Sequence, residues 1–283
     1  MTLQQAIMLT LQVSILMTVF GFGLRATPGD VLYVVRRPAL LGRSLVAMLV
    51  IMPIAAVALA SAFELRPSVE IALVALSISP VPPLLPVREQ KAGGDKAYAL
   101  GLMVIAGVLS IVVVPLAVQL LSRYFMRPFA MSSSAIASLV LKAAILPLVA
   151  GMILRPLMPT VAARIAKPVE LVAQVLLAIG VLAVLAASLP AIFSLVGNGS
   201  IIAMVAFVVV GLTVGHALGG PDGDHKLVLA LSTASRHPAI ALAIAKANFP
   251  DEPYLGATML LYLLVSLLLG VPYQMWQKRR TAP

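Results

Sequence analysis

Two short stretches of this chain carry residues that an ordinary membrane-spanning helix does not tolerate. The first is Ser77-Ile78-Ser79-Pro80-Val81-Pro82-Pro83-Leu84-Leu85-Pro86. Each of its four prolines lacks a backbone donor and clashes with a preceding carbonyl, so a continuous helix breaks here. The second is Ser232-Thr233-Ala234-Ser235-Arg236-His237-Pro238, which puts hydroxyls, a guanidinium and an imidazole just ahead of a proline. Both sit inside otherwise apolar runs. In lipid, the backbone groups freed by a break must find partners inside a bundle or against a cavity. The chemistry on offer is reversible binding. Half-helix ends present partial charges that hold an anion or a cation, hydroxyls donate hydrogen bonds, and Arg236 supplies a fixed positive charge.

The rest of the chain supports binding over covalent chemistry. Cysteine is absent and the three histidines are scattered, so neither a thiolate nor a histidine metal site is expected. No H-E-x-x-H, no phosphate-binding G-x-x-x-x-G-K and no G-x-S-x-G is present, which leaves no basis for an enzyme or an ATP-driven pump. No cofactor is expected, a coupling sodium ion or proton aside.

The elements that must position the two stretches follow from hydropathy. Of 283 residues, 61% are hydrophobic and 11% charged, against about 45–50% and about 25% in soluble domains. Mean hydropathy is +1.07. A water-soluble globular enzyme and a disordered chain are both excluded; an all-α polytopic membrane protein remains. Nine apolar segments are separable, at about 6–24, 39–62, 69–87, 98–121, 135–154, 168–189, 199–219, 226–248 and 254–275, each near the roughly 20 residues a crossing needs. They form one transmembrane domain over 1–283, and the first apolar run is expected to be a mature helix, not a signal peptide.

The net charge of +10 follows the loops. With the N-terminus outside, inner connections hold Arg25, Arg36, Arg37, Arg88, Lys91, Lys96, Arg155, Arg164, Lys167, Lys226, Lys278, Arg279 and Arg280. Outer ones hold Arg66, Arg123 and Arg127. This bias places the C-terminus in the cytoplasm and directs the basic residues to an anionic leaflet, not to nucleic acid. A multi-pass protein of the cytoplasmic (inner) membrane is expected, with the lipid bilayer as partner and no obligate protein partner.

The two broken segments are the third and the eighth. Their odd offset gives them opposite orientations, so segments 1–4 map onto 6–9 as an inverted repeat with segment 5 unpaired. Pro80 is followed 35 residues later by Pro115, and Pro238 34 residues later by Pro272. Matched interrupted segments in inverted halves point to the binding site of a secondary transporter.

Three further stretches stand out in order: Ser79-Pro80 running on to Lys91-Ala92-Gly93-Gly94-Asp95, then Ile145-Leu146-Pro147-Leu148-Val149-Ala150-Gly151, and Leu231 through Ala243. With them, over essentially its whole length, the pattern resembles the bile acid:sodium symporter family. The resemblance implies a panel domain, a core domain, and crossing of helices 3 and 8 in the core; the chain looks like a nine-helix form. Sodium-coupled members place a Ser-Asn pair after the first break, and a Glu followed by Gln-Asn in the second. Here those positions hold Leu85-Pro86, Ser232 and Arg236-His237. Hard cations need a cluster of oxygen ligands, and Arg236 repels a nearby cation.

The expectation is therefore a secondary transporter of a small organic anion, a carboxylate, working by alternating access with a proton or no coupling ion. A conventional sodium-coupled organic-anion symporter and a channel-like uniporter or sensor are the alternatives. Ser79, Pro80, Pro82 and Pro83 form the first half of the expected site; Ser232, Thr233, Ser235, Arg236, His237 and Pro238 form the second. Arg236 either serves the anion or replaces an ion, or pairs with a carbonyl or helix terminus. His237 is either a proton carrier or a neutral ring that satisfies the break. Lys142, in the middle of segment 5, is a further candidate if it faces inward.

Overall fold

The computed structural model describes residues 3–124, 132–195, 197 and 199–281, and every regular element among them is helical. Arg127 lies outside the described residues, as does the side chain of Arg123. The elements run α1 (Leu3–Gly23), α2 (Pro28–Val31), α3 (Pro38–Val46), α4 (Met52–Ala62), α5 (Pro67–Ile78), α6 (Leu85–Lys91), α7 (Lys96–Tyr124) and α8 (Ser133–Val140). They continue as α9 (Leu146–Leu157), α10 (Pro159–Ser194), α11 (Ser200–Leu218), α12 (Gly223–Ala234), α13 (Pro238–Asn248) and α14 (Leu255–Thr281).

A π-helical turn, Ala47–Ile51, joins α3 to α4, and another, Leu141–Ile145, joins α8 to α9. Each stands just ahead of a proline, Pro53 or Pro147. Eight helical stretches among the described residues are long and apolar enough to cross a bilayer, while α5 is a shorter apolar helix. The protein is a multi-pass membrane protein. Arg164 and Lys167, which hydropathy assigns to a connection, lie on α10, because that helix starts at Pro159 well before its apolar run.

Two groups of helices are evident. In the first, α1 packs on α9 and α10. Gly23 and Gly151 let α1 and α9 touch through their backbones, the small-residue device of membrane helix packing. A Cβ at Gly151 would stand 2.7 Å from the backbone nitrogen of Leu24. Ser14 Oγ donates to Ala173 O across α1 and α10 at 2.8 Å, and Arg25 pairs with Glu170 at 2.9 Å. Gly151→Val is therefore expected to separate these helices at a cost on the order of 1–3 kcal/mol. An unchanged melting temperature of the detergent-solubilised variant would contradict this packing.

The second group holds α3–α4, α5–α6, α7, α11, α12–α13 and α14. In it α5 lies against α13, and α6 against α12. The two broken helices therefore run side by side in opposite directions. Most of the buried apolar side chains form one cluster here, whereas Leu120, Leu182, Phe193 and Leu268 face outward as lipid requires.

Candidate functional site

The site follows from asking where the backbone groups at each break find partners. Helix α5 stops at Ile78 because Pro80 forces Ser79 into an extended conformation, with φ −77° and ψ 150°. Leu76 O loses its partner to Pro80, and accepts instead from Ser79 N at 3.0 Å and Ser79 Oγ at 2.8 Å. Pro82 O accepts from Leu85 N at 3.0 Å, and α6 starts there with Pro86 in its first turn.

The second break is satisfied from outside its own helix. Pro238 has no N–H to give Ala234 O, so Tyr262 Oη of α14 donates to that carbonyl at 2.7 Å. The same hydroxyl accepts from Arg236 N at 2.7 Å. His237 N donates to Pro80 O at 2.9 Å. That single main-chain bond joins the two breaks, and with it the first and second halves of the expected site. Ser235 Oγ lies 3.2 Å from Ser266 Oγ. Thr233 Oγ1 is buried without a partner among the described residues.

Arg236 is 0% exposed. Its Nη2 donates to Ser77 O, at the end of α5, and to Met48 O, in the first π-helical turn. Both acceptors are free for stated reasons. Ser77 O belongs to the last turn of a terminated helix, whose carbonyls have no helical partners. Met52 N bonds Ala47 O across five residues, so the next donor in that register falls on residue 53, a proline. The guanidinium thus lies at a helix C-terminus, the end that favours a cation; its Nε and Nη1 have no partner among the described residues. His237 Nδ1 accepts from Ile240 N at 3.4 Å and caps α13.

The expected residues divide by exposure. Ser79, Pro80, Pro83, Ser232, Thr233, Ser235 and Arg236 are buried, while Pro82, His237 and Pro238 are half-buried. Lys142 stands apart from them. It is exposed in the second π-helical turn and lines an open groove with Leu16, Met17 and Phe20 of α1 and Leu146 of α9.

One residue that sequence reasoning missed stands beside the second break. Glu89 of α6 is 0% exposed, and its Oε1 accepts from Ser232 Oγ at 2.8 Å. The carboxyl beside the second break thus comes from the first broken helix. Its polar neighbours Arg88, Gln90 and Lys91 read as a solvated connection, so hydropathy carries no signal for it; the hint is Pro86, well placed to open a new helix. On the far side of α6, Asp95 Oδ1 accepts from Tyr98 N at 2.6 Å, and Tyr33 Oη lies 3.0 Å from His225 Nε2. The Tyr98 ring meets that of His225 edge-on, 5.2 Å between centroids, which seats the start of α7 against the start of α12.

The Sodium Bile acid symporter family model matches residues 12–195, well over half of the chain. The chain belongs to the sodium bile acid symporter family. It is a transporter rather than an enzyme. No curated protein matches it. The family match takes in the first break and Glu89 but ends before the second, so Arg236, His237 and Tyr262 lie beyond the matched residues.

Proposed function

We propose that this member of the sodium bile acid symporter family moves a small organic anion, a carboxylate, across the cytoplasmic membrane by alternating access. The N-terminus lies outside, the C-terminus lies inside, and the substrate binds beside the crossing of the two broken helices. The observation that carries this reading is the main-chain bond from His237 N to Pro80 O. It ties two interrupted helices at their breaks, the arrangement on which inverted-repeat transporters build their sites. The arms α5 and α12 each have 12 residues before their breaks, which supports pairing segments 1–4 with 6–9 and reading nine segments in all.

Pro82, His237 and Pro238 are the accessible part of the crossing, next to the N-terminus of α13, where the helix favours an anion. Arg236 has the other task. Its guanidinium lies on Ser77 O at the negative end of α5 and on Met48 O, where a bound cation would be stabilised, and it supplies that charge permanently. Sodium is then not required. Lys142 lines a separate groove and has no part in this site.

The test is the thermal stability of purified protein against a panel of organic anions, in sodium and in choline. A ligand at a hundred times its Kd adds about 2.7 kcal/mol when it binds only the folded state. Equal shifts in the two salts are expected. A shift seen only in sodium overturns the reading in favour of conventional sodium symport. Binding without gradient-driven accumulation in vesicles overturns it in favour of a uniporter or sensor.

A further inference from the structure

We propose that Glu89 carries the proton of the transport cycle and exchanges it when the α6–α12 contact opens. This rests on the transporter reading above and assigns its coupling ion. Arg236 cannot have that role, because a guanidinium remains charged throughout. Glu89 is built differently. It is fully buried, its Oε1 is held by Ser232 Oγ at 2.8 Å, and its Oε2 has no partner among the described residues.

The groups that face it come from three helices. Arg88 neighbours it on α6, Tyr98 acts on it from α7, and Ser232 bonds it from α12. None of them closes on Oε2. No cationic nitrogen among the described residues lies within salt-bridge distance of the carboxyl, and the Tyr98 hydroxyl is already 2.8 Å from Ser44 Oγ. An ionised carboxylate buried with one oxygen unpaired is costly, and neutralisation removes that cost. The closed arrangement therefore suits the acid form, with the proton on Oε2 and Oε1 accepting from Ser232.

Placement couples this proton to movement. Glu89 is on the second arm of the first broken helix, and Ser232 on the first arm of the second, three residues before Ser235. Their bond clamps the arms on one side of the crossing, the cytoplasmic side in the proposed orientation. Opening the site to that side separates α6 from α12 and admits water. The Oε2–H bond then breaks, the proton passes to water, and the carboxylate is left hydrated. The arms close again on the ionised carboxylate, and the cost of burying it there draws a proton from the outer side through the crossing, so each cycle carries one proton inward. No electron is transferred and no further reactant is needed.

Two measurements test this. Infrared difference spectra of purified wild type minus Glu89→Gln should contain the carbonyl stretch of a protonated carboxyl, and it should disappear as the pH is raised from about 5 to about 9. Proteoliposomes with a luminal pH dye should acidify when given an inward gradient of the anion that shifted stability most. In Glu89→Gln that acidification should fall by an order of magnitude or more. Ser232→Ala keeps the carboxyl but removes its one bond, so it should shift the pH midpoint of the infrared band; this serves if Glu89→Gln fails to fold. A missing band, or one that does not titrate, overturns the proposal. Anion uptake without acidification overturns it too, yet leaves the transporter reading intact, and the same holds if uptake requires sodium and Glu89→Gln abolishes that requirement. Failure of every anion to bind wild type sinks the organic-anion reading instead, and the infrared titration then decides whether Glu89 holds a proton.

Discussion

Arg236→Ala is expected to lower the stability of the purified protein by on the order of 2–5 kcal/mol and to make the remainder depend on sodium. The first effect follows from the two carbonyls it leaves behind. Ser77 O and Met48 O both accept from the guanidinium in a fully buried place, and an unpaired buried acceptor costs about 1–3 kcal/mol. Loss of a desolvated charge offsets part of that sum. The second effect follows from geometry. The vacated space would keep two carbonyl oxygens, Ser77 O at the C-terminal end of α5 and Met48 O of the π-helical turn, which suits a small hard cation. Melting curves in sodium and choline should coincide for the parent and separate for the variant. Arg236→Lys should recover only part of the loss, because an ammonium is a point charge without the planar fork. If Arg236→Ala melts with the parent in both salts, the guanidinium is not standing in for an ion.

The second large effect belongs to a residue with one oxygen and two duties. Tyr262 Oη takes the N–H of Arg236 and gives its own proton to Ala234 O, both at 2.7 Å. These are the backbone groups that Pro238 and the break leave without helical partners. Tyr262→Phe removes both bonds and almost no volume, so its cost is the desolvation of two buried groups, on the order of 2–4 kcal/mol. Tyr98→Phe is the natural comparison. Tyr98 Oη meets Ser44 Oγ at 2.8 Å, and Ser44 keeps its own bond to Leu40 O at 2.7 Å; nothing on the backbone is stranded. Tyr262→Phe should therefore melt well below Tyr98→Phe. The reverse order would mean that the break is satisfied by something other than this hydroxyl.

Much of the frame was legible in the chain because prolines act locally. The breaks at 79–84 and 235–237 fall where Pro80, Pro82, Pro83 and Pro238 remove donors, and the depth of Arg236 follows from counting residues to either end of its segment. What the prolines recruit was not legible. Tyr262 is 26 residues from Arg236 and reads as an ordinary aromatic in an apolar helix; only the packing of α14 on α12 and α13 brings it to the break. Met48 was hidden further, since its carbonyl is free only because a π-helical turn shifts its partner onto Pro53. Glu89 shows the opposite failure. Arg88, Gln90 and Lys91 give its surroundings the look of a surface loop, and a tertiary contact with α12 outweighs that local polarity. For Lys142, hydropathy gives its depth in the membrane but not the side of the helix it faces, and it turns towards α1 and an open groove.

The anchorage of Arg236 also bears on how such a site drifts over evolutionary time. Both of its acceptors are main-chain atoms, and a carbonyl oxygen persists through any substitution of the side chain attached to it. Positions 48 and 77 are therefore free to change identity within their packing limits while the guanidinium keeps its partners. Pairwise covariation between these positions and 236 would be weak despite the direct bonds. Constraint falls instead on residue 53, whose ring leaves the Met48 carbonyl vacant, and on residue 236 itself.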